Sequence, residues 1–389
     1  MLRVTLGQHP ATIEILKDTV QDCNINFLIG SGLSCPFLRT LGNIEALLSS
    51  VDTDVADAAA RAIIRASLYK TYFDGVILPN AQIVTPTPAC QTVLNHYKHF
   101  LDILNSILLR RKVTLLSKEV NLFTTHIDVF LDKALEEQAL QYNDGFNGRF
   151  KPLFSLSNFK TSRFKRSLFY DKSAELPVFN LVKLHGSVSW SAVPGCVAFS
   201  HALDHIQKVA DNVLTADHVV DVPPGANIAA LVTAAAAKKA DAVSAAFVKG
   251  YEELLIVVNP TKDKFKHTLM NETYYELLRM YSNELEKENT VLFSLGFSFA
   301  DEHIRDITLR AANSNPTLTI LIFAHTSAAA AQIDTHFATH AITNQNIRLV
   351  VPEQEDDGHG GYKDKFSFDF EHINSQVFGA LLRKIESEG

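Results

Sequence analysis

Four short stretches of the chain carry side chains that could do chemistry on a nucleotide. Gly30-Ser31-Gly32-Leu33-Ser34 follows the apolar run Ile25 to Ile29. Glycines at such a turn let the backbone approach a phosphate, and a following helix N-terminus favours its negative charge. The stretch is not a full G-x-G-x-x-G, and no G-K-[ST] follows, so it is no P-loop. A tight strand-to-helix turn would read the same way. Thr124-Thr125-His126-Ile127-Asp128 follows a second apolar run. Its polar side chains can contact a ribose, or Asp128 can simply cap a helix. Lys183-Leu184-His185-Gly186-Ser187 puts an imidazole at a strand end, where it can act as a general base near neutral pH. The chain has 15 histidines, so a hydrogen-bonded core role is the competing reading for any one of them. Gly296-Phe297-Ser298-Phe299-Ala300-Asp301 lies between a strand and a helix. There Gly296 allows close approach, Ser298 can bond a phosphate or ribose, and Asp301 reads as the helix cap.

These stretches can converge only if one sheet positions them. Apolar spacing predicts helices over Thr12 to Val20, Val55 to Ile64 and His96 to Leu109, with a turn-rich stretch, Pro79 to Pro88, before the last. Strands are expected at Ile25 to Ile29, Val120 to Thr125 and Val178 to Leu184, and Asp144 to Gly148 reads as a loop. After Lys249 the alternation becomes regular. Strands are expected at Leu254 to Val258, Thr290 to Leu295, Leu318 to Ala324 and Ile347 to Val351. Helices are expected between them at Thr273 to Lys287, Asp301 to Ala312 and Ser327 to Thr339, and a last one at Phe370 to Glu386. Near-continuously apolar strands alternating with helices argue for an α/β fold: a Rossmann-like parallel sheet covered by helices on both faces. The simplest organisation is one domain over residues 1–389 with a helical insertion at 43–116 and an Ala-rich helical insertion at 187–250. The acidic, glycine-rich loop Glu353 to Asp364 is expected at the surface. In such a sheet the carboxyl ends of the strands line the ligand crevice.

Composition narrows the field. The chain has 389 residues, 47% hydrophobic and 20% charged, with four cysteines in no paired pattern. That is an ordinary globular composition with no disulfide framework, as suits a reducing cytoplasm. The net charge of −7 argues against a direct nucleic-acid coat. No apolar run reaches the length of a membrane span, and the first ten residues lack the apolar core of a signal peptide.

Taken in order, Gly-Ser-Gly-x-Ser, Thr-Thr-x-Ile-Asp, Lys-Leu-His-Gly-Ser and Gly-Phe-Ser-Phe-x-Asp resemble the sirtuin-like superfamily. They look most like its branch in bacterial immune effectors, of the type paired with HerA-like ATPases. Asp144-Gly145-Phe146, Val258-Asn259-Pro260-Thr261-Lys262 and the pair Tyr274 and Tyr275 also fit that branch. The resemblance spans about Asn24 to Ala324. It implies NAD as substrate, with Gly30, Ser31, Gly32 and Ser34 cradling the pyrophosphate and Thr125 beside the ribose. It further implies Asp128 at the nicotinamide end, His185 as the base taking a ribose hydroxyl proton, and Gly296 and Ser298 on the adenosine half. His325, at the next strand end, would contact the adenine ribose. The implied activity is an NAD glycohydrolase that depletes NAD in antiviral defence and is gated by homo-oligomer assembly or by a partner ATPase. Two large insertions, and the alternating N-terminal arm Met1 to Pro10 as a strand for a neighbour, would supply interaction surface.

Two departures from the family pattern matter. Deacetylase sirtuins carry a zinc module with C-x-x-C pairs after the catalytic histidine, whereas here only Cys196 follows His185. No zinc site of that kind can form, which favours NAD hydrolysis over protein deacylation. The second is His126, where relatives place an asparagine that orients water. An imidazole cannot present a carbonyl acceptor and an NH₂ donor together, and a charged one opposes the cationic nicotinamide. Either histidine serves as a catalytic residue here, or the site is weakened and the chain is an NAD- or ADP-ribose-binding assembly subunit; in the weakened case an asparagine at 126 would raise hydrolysis.

Overall fold

Eight parallel strands form the central sheet of the computed structural model, which describes residues 1–5, 10–40, 42–113, 115–257, 268–358 and 360–388. They are β1 (Leu2–Thr5), β2 (Asn24–Ile29), β3 (Glu119–Thr124), β4 (Tyr142–Asn143), β5 (Val178–Lys183), β6 (Thr290–Leu295), β7 (Leu318–Phe323) and β8 (Ile347–Val351). Their order is β1-β8-β7-β6-β2-β3-β5-β4. From β2 the chain runs outward through β3 and β5, then returns to β6 on the other side of β2 and runs outward again through β7 and β8. The gap between the carboxyl ends of β2 and β6 is therefore the topological switch point, where loops diverge and a ligand crevice opens.

Burial explains the strands. All six residues of β5 and of β6 are buried, as expected where helices cover both faces. Alternate residues feed two cores. Phe27 and Phe293 stack on one face with ring centroids 5.1 Å apart and pack against Phe100 and Phe378. Leu28, Phe123 and Leu292 point to the other face, where Phe123 meets Tyr281 at 5.0 Å. Register across β2, β3 and β5 carries a polar mark. Asn26, Asn121 and Asn180 lie side by side. Asn121 donates to Asn26 Oδ1 at 2.8 Å, and Asn180 donates to Asn121 Oδ1 at 2.9 Å. A slip of one residue would break both bonds and bury unpaired amides.

Most strands fall where the periodicity puts them, but several expectations change. The N-terminal arm does not wait for a neighbour: β1 pairs with β8 of its own chain as the edge strand. No strand runs from Leu254 to Val257; Leu254 ends the helix Ala242–Leu254, and Val257 makes one bridge, to Gly186. Val258 to Lys262 lie outside the described residues. Residues 43–116 are mostly helical, but with other bounds: Ile44–Asp54 precedes, the helix expected from Val55 begins at Ala58 and runs to Tyr72, the one expected from His96 begins at Pro88 and runs to Leu109, and the turn-rich stretch Pro79 to Pro88 holds a short helix, Ala81–Val84. The stretch 187–250 opens not with helix but with a hairpin, Trp190–Val193 against Cys196–Phe199, which joins a small antiparallel sheet with Leu153–Phe154 and Phe146–Asn147. Helices follow only at Asp204–Ala210, Ile228–Ala235 and Ala242–Leu254. The acidic segment is itself a short hairpin, Gln354–Asp356 with Tyr362–Asp364. Asp364 reaches back to bond Ser327 at the start of helix Ser327–Phe337.

Candidate functional site

At the switch point the turn after β2 packs backbone to backbone on the turn after β6. Gly30 N–H donates to Leu295 O at 2.9 Å, and Gly32 N–H donates to Gly296 O at 3.1 Å. A Cβ on Gly32 would stand 2.9 Å from Gly296 O, and one on Gly296, whose φ is +64°, would stand 2.8 Å from Leu33 N. These glycines are needed so that the two turns can touch. The amides of Gly30 and Gly32 are committed to that contact rather than left for an anion.

Two cavities open on either side of this seam. One, of about 450 Å³, is walled by Ser31, Gly32, Arg39, Glu45, Tyr72, Thr125, His126, His185, Gly296, Ser298 and Asp301, among others. The other, of about 460 Å³, is mostly apolar, with Cys35, Pro36, Phe323, His325, Ile333, Phe368 and Phe370 in its wall. They share Gly32, Thr40, Gly296, Phe297, Ser298 and Gln332, so together they make one elongated cleft with a polar end and an apolar end.

At the polar end His185 follows β5. Its Nε2 lies 3.2 Å from Asp301 Oδ2, close enough for an ion pair with a charged imidazole but not aligned as a hydrogen bond. Asp301 also does what a cap does: its Oδ1 accepts from His303 N at 2.9 Å and Ile304 N at 3.2 Å, opening the helix Glu302–Ser314. The Tyr274 ring stands beside His185, centroids 6.2 Å apart.

His126 lies in the same wall and is 6% exposed. Its Nδ1 is 2.6 Å from Asp128 Oδ2. Asp128 is fully enclosed: Ser34 Oγ donates to the same Oδ2, and Phe130 N–H donates to Oδ1 at 3.3 Å. With the Ser34 hydroxyl proton so used, the 3.0 Å contact between Ser34 Oγ and Tyr97 OH must have the phenol as donor. Burial alone would push the Asp128 carboxyl up. The charge and hydrogen bond of His126, then Lys183 and the Ser34 bond, outweigh it and hold the group below the ordinary carboxylate range. Lys183, buried at the end of β5, donates to Asp128 O and pairs with Asp132 at 2.6 Å.

The structure thus gathers His126, His185, Thr125, Ser31, Gly32, Gly296 and Ser298 at the polar end, and His325 at the apolar end. Gly30, Ser34 and Asp128 stand behind the wall: Gly30 sets the seam, and Ser34 and Asp128 reach the cavity only through His126. Residues that sequence reasoning did not single out also line the cleft. Arg39 is exposed there and makes no ion pair among the described residues; Glu45, Tyr72 and Gln332 join it. Of these only Arg39, a lone cation just past the glycine turn, left a signal in the sequence. Asp144 and Phe146 line a different cavity, of about 610 Å³, at the β4 edge.

A model of the SIR2-like domain family matches residues 120–349. The chain belongs to the SIR2-like domain family. No match was found among curated proteins. Membership implies NAD binding and is consistent with NAD-dependent enzyme activity. The match begins in β3 and ends in β8, so it takes in the His126, His185 and Ser298 strand ends. The switch-point cleft fits that ligand on its own geometry: its wall holds Arg39, which makes no ion pair among the described residues, and His126, whose buried Nε2 has no hydrogen-bond partner among them. No helix among the described residues is long and apolar enough to cross a membrane. Among them, no group of three or more His, Cys, Asp or Glu side chains is placed to hold a metal ion.

Proposed function

We propose that this SIR2-like chain is an NAD glycohydrolase, yielding ADP-ribose and nicotinamide. We propose further that it acts as a defence effector whose NAD depletion is gated by self-assembly or by a partner ATPase. The observation that carries the catalytic part is the meeting of His185, backed by Asp301, with His126, backed by Asp128, in the polar end of one cleft. Bound NAD supplies a cationic leaving group whose departure leaves an electron-poor ribose open to water. The residues do the rest. His185 takes a proton from a ribose hydroxyl, and Asp301 steadies the imidazole as it charges. Arg39 offers its charge to the diphosphate. Phe323, Phe368 and Ile333 shelter an adenine, with His325 beside its ribose. Thr125 and Ser298 offer hydroxyls to the sugars.

Gating is argued from cost: an uncontrolled NAD-consuming activity harms its own cell, and the helices and hairpins added to the sheet offer surface for contacts. The test of the reaction is to incubate the purified chain with NAD and follow nicotinamide by chromatography, with and without an acylated peptide. Release without peptide supports the glycohydrolase. Release only with peptide would replace it with a deacylase. Tight NAD binding with no release under any condition would leave an assembly subunit.

A further inference from the structure

We infer that His126 is a second general base, held by Asp128 to deprotonate the attacking water while His185 works on the ribose. This rests on the glycohydrolase reading and goes beyond it by giving the water its own base. Three observations carry it. First, the ring is fixed by its Nδ1 edge, 2.6 Å from Asp128 Oδ2, and Asp128 has no freedom to turn away. Ser34 and Phe130 N–H hold its oxygens, and Tyr97 holds Ser34. Second, a carboxylate acceptor at Nδ1 selects the tautomer with the proton on Nδ1, so Nε2 of the neutral ring carries a lone pair. Third, Nε2 is buried and has no hydrogen-bond partner among the described residues, and the ring it belongs to forms part of the cavity wall. An unpaired buried imidazole nitrogen costs free energy unless something occupies it. A water between His126 and the nicotinamide ribose would fill that role.

The step balances. His126 Nε2 takes a proton from water as the water oxygen bonds to C1′ of the nicotinamide ribose. The C1′–N bond breaks, and its electron pair stays on the nicotinamide nitrogen. The imidazolium later gives its proton to solvent, so NAD⁺ and water become ADP-ribose, nicotinamide and H⁺. An asparagine can orient water but takes no proton, and the Asp128–Ser34–Tyr97 chain is arranged as a base needs. The charged and titratable groups around the ring are Asp128 on its own loop, Tyr97 behind Ser34, Tyr72 from Ala58–Tyr72, and Lys183 through Asp128. Arg39, Glu45, His185 and Asp301 face it around the cavity.

Two measurements test this. The first is long-range ¹⁵N NMR of the histidine rings in the intact chain without NAD, with the His126 signal assigned by its loss in His126→Asn. The expected result is a protonated Nδ1 and a bare Nε2; the reverse tautomer overturns the inference whatever the activity. The second is the pH profile of nicotinamide release. Two bases that must both be neutral give an acid limb in kcat/KM of slope two. His126→Asn should reduce it to slope one and lower turnover by about 10²- to 10⁴-fold. Superimposable profiles and equal rates would overturn the inference and leave the glycohydrolase standing. No release by any form would overturn both.

Discussion

Gly296→Ala puts the seam itself to the test. The residue sits at φ +64°, where a side chain costs about 1–2 kcal/mol. The new Cβ would also stand 2.8 Å from Leu33 N and 3.0 Å from Leu33 Cγ. Backbone cannot swing aside, so the two turns must part, which adds about 1–3 kcal/mol of overpacking. The variant should therefore lose about 2–5 kcal/mol in all, measured by urea unfolding. Gly195→Ala is the matched control. Its φ is +73°, yet nothing lies within 4 Å of the added Cβ, so it carries backbone strain alone, about 1–2 kcal/mol. Because the seam is the wall shared by both halves of the cleft, Gly296→Ala should also weaken NAD binding by calorimetry, by about tenfold or more, the equivalent of 1.4 kcal/mol. Gly195→Ala should bind as the parent does. If the two variants unfold alike and bind NAD equally well, the turn-on-turn contact does not shape the cleft.

Other perturbations separate the roles of single residues. Asp301→Asn keeps an oxygen to cap Glu302–Ser314, so stability should hold, while loss of the charge beside His185 should cut turnover by roughly 10²-fold. Equal loss of stability and rate would make Asp301 a cap and nothing more. Arg39→Ala should raise KM for NAD with little change in kcat, because a charge offered to the diphosphate acts on ground and transition states alike; an unchanged KM would remove Arg39 from the site. Burial, first among its causes, pushes the Asp144 carboxyl up to about 6. The fold therefore favours the protonated form, and stability should fall as pH rises from about 4 to about 6 and then level. By linkage the loss is at most about 3 kcal/mol. Asp144→Asn should flatten that part of the urea midpoint against pH; an unaltered slope would assign it to other groups.

How far the sequence could be read depended on the range of the interaction. β6 and β8 were legible to the residue, since Thr290–Leu295 is buried on both faces, Ile347–Val351 is buried but for Arg348 and Val351, and both apolar runs have sharp ends. The four strand ends could be named because a turn motif is local. The hairpin Trp190–Val193 with Cys196–Phe199 was missed. Its Pro194-Gly195 turn was visible, but alanine-rich composition downstream drew the whole segment toward helix. The strand expected at Leu254 failed for a related reason: the apolar run there is the end of an amphipathic helix. Asp301 was legible as a cap and not as the partner of His185, because those residues are 116 apart in sequence and meet only once β5 and β6 flank β3 and β2. The same holds for Tyr97. Helical spacing marks it as core, and it is core, but its hydroxyl also anchors Ser34 and through it Asp128. The pyrophosphate role read into the glycines rested on backbone amides, and those of Gly30 and Gly32 turned out to be used in joining the two turns.

The central claim is that this cleft binds NAD and that His185 is needed to cleave it. The direct measurement is the time course of nicotinamide release by the unaltered chain and by His185→Ala, with NAD affinity determined for both by calorimetry. The account predicts binding by both and release slowed by about 10²- to 10⁴-fold in the variant. Equal release by both forms, or no NAD binding by either, would contradict it.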